Sequence, residues 1–162
     1  MLFSRILRLK KSFGTSIFAK KKPCPTTKEG ADWLLKNGFK IAGIVCDGLR
    51  GMFALFADYP VQMCQFHQIS IVRRYLTQQP DLQDSNELLS LVKTMTHTDK
   101  KQFIGMFSDW EHKWSNFLKE SSLDKKTGKT RYTHKRIRST YLSLKRNMKE
   151  LWTFSDCDKI GI

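Results

Sequence analysis

The sequence is poor in anything that would staple or anchor it. Its four cysteines (Cys24, Cys46, Cys64 and Cys157) lie far apart and include no Cys-x-x-Cys pair. That argues against a disulfide framework and fits reduced thiols in a cytosolic protein. No apolar run approaches the ~20 residues that cross a bilayer, so no membrane is expected among its partners. Acids are scarce as well: 15 Asp and Glu stand against 29 Lys and Arg, a net charge of +14. Such a surplus points to a polyanion, with nucleic acid the first choice and an anionic membrane surface the second. Internal repeats and low-complexity tracts are absent. So are helix-turn-helix, zinc-finger and RNP signatures, which leaves sequence-independent contact as the expected mode.

What is present suffices for a core. Of 162 residues, 40% are hydrophobic, enough for one domain or one domain with a basic extension. Residues 1–22 hold seven Lys or Arg and no acid. A transit peptide or a membrane-surface helix is compatible with that make-up, and residues 1–25 are expected to be a poorly ordered basic arm. Prolines 23 and 25 then break the chain. Thr26 with Glu29 forms a capping box and Gly38 a stop, predicting a short helix with Trp33, Leu34 and Leu35 on its packing side. Residues 39–46, "FKIAGIVC", read as a buried strand that ends at Asp47-Gly48. A short helix over 49–57, a strand over 61–66 and a helix from His67 to about Thr77 complete an α/β segment, 26–78.

The style then changes. Residues 84–96, 98–120 and 133–152 read as helices, so 79–162 is expected to be all-α. The middle helix carries Phe103, Met106, Phe107, Trp110, Trp114 and Phe117 at three- and four-residue steps, a packing face.

Three groups of residues carry possible chemistry. Asp47, at the carboxyl end of a buried strand, sits where α/β sheets place their sites, although Asp-Gly after a strand is also an ordinary turn. Cys64 and His67 make a Cys-x-x-His. No second ligand pair exists for zinc, and no third orienting group for a Cys nucleophile, so a buried Cys and a helix-start His is the plain alternative. Between 125 and 149 there are ten Lys or Arg and no acid. Lys125, Lys126, Lys129, Arg131, Lys135, Arg136, Arg138, Lys145 and Arg146 of this segment are the expected DNA contacts.

The stretch "GFKIAGIVCDGLRGMFALFADYPVQMCQFHQISIVRRYLTQQPDL" resembles a bacterial insertion-sequence transposase of the Mutator-like DDE group. The matching pieces are a strand ending in Asp-Gly, the Arg50-Gly51-Met52-Phe53 segment, and a Cys-x-x-His entering a helix with Arg73-Arg74-Tyr75. The later "RSTYLSLKRNMKELWTF" is similar to the segment preceding that group's last catalytic helix. The resemblance covers about 26–156. It implies a partial RNase H-like core with a helical insertion, α/β followed by all-α, incomplete at both ends. It also implies that Asp47 is the second Asp of a DDE triad and a Mg²⁺ ligand, with Cys64 and His67 as the group's signature beside the site. The implied chemistry is Mg²⁺-dependent strand cleavage and transfer for DNA transposition of an insertion sequence.

The first Asp and the Glu of the triad find no counterpart, so the expected protein is an internal fragment, inactive alone. Its partners would be DNA and an intact or complementary transposase chain, without a small-molecule substrate. The alternative is a non-catalytic DNA-binding protein that modulates an intact transposase. Either is expected in the bacterial cytoplasm, on the nucleoid when DNA-bound.

Overall fold

A computed structural model describes residues 6–9, 25–124 and 128–156. The protein is a mixed α/β chain, mostly helical, with two small sheets. It divides into two units. The first comprises the described residues up to His67 and those from Asn147, and the second comprises Gln68–Arg146. The division therefore departs from the boundary read at 78/79.

The first unit begins with β1 (Ile6–Leu9), followed by α1 (Pro25–Lys36) and β2 (Ile41–Cys46). Then come α2 (Arg50–Leu55), β3 (Val61–Met63) and the start of α3 (Gln65–Leu76). The sheet order is β1-β2-β3, with β1 antiparallel and β3 parallel to β2. Apart from Ile6–Leu9, the expected basic arm lies outside the described residues up to Pro25.

α1 starts at Pro25 rather than after a Thr26 cap, because proline's missing N–H is no loss in a first turn. It ends as expected: Gly38 takes φ +79°, its N–H donates to Leu35 O (3.0 Å), and Phe39 N–H donates to Leu34 O (3.1 Å). Its packing side needs correcting. Ala31 and Leu34 are buried, whereas Trp33 and Leu35 are 58% and 42% exposed. Helical spacing from Leu34 reaches back to Ala31 and Thr27, not to its immediate neighbours. The core of this unit joins Ala31 and Leu34 to Ile41, Ile44, Cys46, Met52, Phe56 and Val61.

The second unit contains the rest of α3, then α4 (Gln83–Lys93) and a 3₁₀ turn at Thr94–Thr96. α5 (Lys100–Trp114) is capped by Asp99, whose side chain accepts from Gln102 N–H at 2.8 Å. Beyond a second 3₁₀ turn at Phe117–Lys119 come β4 (Ser121–Leu123), β5 (Thr130–Tyr132) and, up to Arg146, the first part of α6 (Lys135–Leu151). The expected stripe is indeed a packing face: Phe103, Phe107 and Trp110 are buried. Phe107 stacks on Trp110 (6.3 Å) and on Tyr141 of α6 (5.9 Å).

Two expectations fail here. The helix read over 98–120 ends at Trp114, since Ser115 and Asn116 are weak helix formers and Phe117 leaves the stripe. The Phe117 ring stacks on His134 instead, with centroids 3.5 Å apart. Nor is the region all-α, because β4 and β5 pair as an antiparallel hairpin. All six of their residues are exposed, so no buried face gave the alternation by which strands are read. Among the described residues no helix is long and apolar enough to cross a membrane.

Candidate nucleic-acid interface

Two places drew attention in the sequence, and each is built within its own unit. In the first unit, Cys46 and Met63 are partners in the parallel register of β2 and β3. Cys64 N–H extends that ladder by donating to Cys46 O at 2.7 Å. Asp47 and Cys64 therefore follow directly on the carboxyl ends of adjacent parallel strands, and His67 lies in the first turn of α3. The backbone thus brings Asp47 and Cys64, seventeen residues apart, to one sheet end, but with His67 they form no three-ligand group.

What Asp47 does there is local. Its Oδ1 accepts from Leu49 N–H at 3.2 Å, an Asx-type turn, while Gly48 takes φ +83° with Met63 packed against it. A Cβ on Gly48 would lie 2.7 Å from the flexible end of Met63, and the positive φ is what requires glycine in this turn.

In the second unit the basic segment divides into engaged and available cations. Lys145 Nζ donates to Glu111 Oε1 (2.6 Å) and to the Tyr141 hydroxyl (2.9 Å), and that hydroxyl donates to the same Glu111. Burial opposes ionisation of Glu111, yet these two donors outweigh it and hold its carboxyl below its ordinary value. Arg138 lies over the Tyr132 ring at 3.8 Å and donates to Leu118 O at 3.1 Å. Lys145 and Arg138, both expected DNA contacts, are thus committed within the protein. Arg131 pairs with Asp124 (3.4 Å) but stays 66% exposed. Lys129, Lys135, Arg136 and Arg146 are exposed and make no ion pair among the described residues. Lys125 and Lys126 lie outside the described residues.

Lys135 and Arg136 open α6 beside a cleft of about 440 Å³, lined also by Tyr75, Thr77, Ser85 and Thr133. Sequence reasoning did not include Arg73 and Arg74, exposed in the last turn of α3, among the DNA contacts. The signal was available: no acid occurs between Tyr59 and Pro80.

No protein-family model, curated protein or solved structure matches this chain.

The chemistry of the first site must therefore be judged from its donors. A Mg²⁺ pair prefers several oxygen ligands in near-octahedral geometry. Among the described residues no group of three His, Cys, Asp or Glu side chains converges to hold a metal. Asp47 belongs to no such group, and one of its oxygens already closes the turn. The described residues do not fit the two-metal site implied by the resemblance.

Beneath the second site lies a buried carboxylate. Asp84, in the first turn of α4, is 2% exposed, and its Oδ2 has no hydrogen-bond partner among the described residues. Burial pushes its carboxyl above the ordinary 3.8, against the pull of the Ser85 backbone N–H and the charge of His134. A raised folded-state pKa means the native state holds the proton more tightly. The cost of ionising it is fully present above the folded pKa and disappears as pH falls below 3.8. Asp84→Asn is expected to stabilise the protein by about 1 kcal/mol near neutral pH, with the gain shrinking towards about pH 4. Urea midpoints at both pH values check this. An equal gain at both, or a loss at neutral pH, contradicts it.

Proposed function

We propose that this chain is a DNA-binding piece of a DDE-type transposase, unable to cleave DNA by itself. On this reading residues 26–78 are a partial RNase H-like core, and the basic segment provides the grip on DNA. The α/β part is supported by the parallel β2–β3 pair, which brings the Asp-Gly and the Cys-x-x-His to one sheet end. The observation that carries the binding reading is the set of four exposed, ion-pair-free cations, Lys129, Lys135, Arg136 and Arg146. The run from 125 to 149 contains no acid, so the mutual repulsion of its cations is relieved by a polyanion.

The isolated position of Asp47 favours a second reading of the same interface. Here the chain is a non-catalytic binder that modulates an intact transposase by occupying its DNA. Both readings predict duplex binding whose log affinity falls with log salt at a slope of about −3 to −4, from four phosphate contacts at about 0.9 each. Anisotropy titrations across salt concentrations measure it. A salt-independent affinity, or no duplex binding at low salt, removes the proposal. Mixing with a complementary transposase chain separates the two readings. Mg²⁺-dependent cleavage that appears on mixing and is abolished by Asp47→Ala belongs to the transposase piece, whereas continued inhibition of an intact enzyme belongs to the modulator.

A further inference from the structure

Every strand residue of the β4–β5 hairpin is exposed. Two-stranded hairpins alone are marginal in water, and this one buries neither face. Contacts hold its base. His134 Nε2 pairs with Glu120 Oε2 at 2.8 Å, Thr133 N–H donates to Glu120 O at 3.0 Å, and Arg138 covers the Tyr132 ring.

The register sorts its side chains by face. Ser122 opposes Arg131, and alternation adds Asp124 and Lys129 to the same side. Ser121, Leu123, Thr130 and Tyr132 occupy the other. One face is thus polar and hydrogen-bonding throughout. Along it Asp124 is a diagonal neighbour of Arg131, and their ion pair holds the guanidinium across the ribbon.

Resting on the DNA-binding reading above, we infer that this hairpin enters the major groove of B-form DNA with its Ser122–Arg131 face towards the base edges. The dimensions agree: a groove about 12 Å wide admits a two-stranded ribbon. The charge agrees too: Asp124 on that face is paired with Arg131, Lys129 shares the face, and the exposed Lys135 and Arg136 follow the hairpin to meet phosphates. Arg131 is the group suited to a guanine edge, as its planar fork donates to O6 and N7 together.

The test uses the full chain, a short guanine-containing duplex and dimethyl sulfate, which methylates guanine N7 in the major groove. Bound protein is expected to protect N7. Arg131→Ala is expected to abolish that protection and weaken binding about 10-fold, equivalent to ~1.4 kcal/mol. Ser122→Glu, which removes no contact in the protein, is expected to weaken binding at least as much. Both positions are exposed, so unchanged melting of the two variants is the control. Duplex binding that leaves N7 fully reactive, or that survives both substitutions unchanged, overturns the groove assignment while the DNA-binding function stands. Absence of duplex binding overturns both.

Discussion

Truncating Phe103 to alanine is expected to destabilise the second unit by about 3–5 kcal/mol, the range for deleting a fully buried aromatic. Phe103 is wholly buried, and it sits in the stripe that continues through Phe107 and Trp110. Those residues meet Tyr141 at 5.9 Å and 6.2 Å, so α5 is tied to α6 by ring contacts along one face. Total stabilities of 5–15 kcal/mol are usual, and the loss is therefore a large share of what holds the helices together. The urea midpoint followed by tryptophan fluorescence is the readout. Phe117→Ala provides the comparison, since that ring is only half-buried and has left the α5 stripe for His134. If both truncations cost the same small amount, the aromatic stripe is not the core of this unit.

Reversing two charges at the start of α6 is expected to have the largest effect on binding. Lys135→Glu with Arg136→Glu removes two exposed cations that make no ion pair among the described residues. The substitution breaks no ion pair in the fold. Acidic residues are also favourable in a first helical turn, so α6 is not expected to weaken. Each charge-assisted phosphate contact contributes about 1.5 kcal/mol or more, giving a loss on the order of 100-fold in duplex affinity at low salt. The salt slope is expected to fall by about 2 at the same time. Lys145→Glu tests the distinction between engaged and available cations. It breaks the Glu111–Tyr141–Lys145 group, so its effect is expected chiefly on stability. If Lys145→Glu instead reduced the salt slope as the double reversal does, the division of the basic segment would be wrong.

These expectations depend on structure that was only partly legible in the sequence. The apolar run of β2 and the stop at Asp47-Gly48 were readable because burial on two faces and a positive-φ turn leave direct traces in residue type. Phe103, Phe107 and Trp110 were readable because helical period puts them on one face. The hairpin was not. Ser121–Leu123 and Thr130–Tyr132 are three-residue strands with no buried side, and they are fixed by pairings such as Glu120 with His134 that no local pattern encodes. The fate of individual cations was equally hidden. Lys145 is neutralised by Glu111 from thirty-four residues away, a contact that exists only once α5 and α6 are packed. Trp33 misled for a simpler reason: size suggested burial, but helical geometry gave the inward position to Ala31.

The catalytic part of the resemblance meets a physical limit at Asp47. Among the described residues no group of three ligands forms around Asp47, and one of its oxygens accepts from Leu49 N–H, so no ligand set for a Mg²⁺ pair is assembled there. The binding part meets no such limit, because phosphate contact requires only exposed, uncompensated cations.

One titration tests the central claim most directly: duplex DNA with the full chain, across salt, with and without Mg²⁺, followed for both binding and strand cleavage. The account predicts salt-sensitive binding that does not require Mg²⁺, with every strand left intact. Mg²⁺-dependent cleavage by this chain alone, lost on Asp47→Ala, would contradict it.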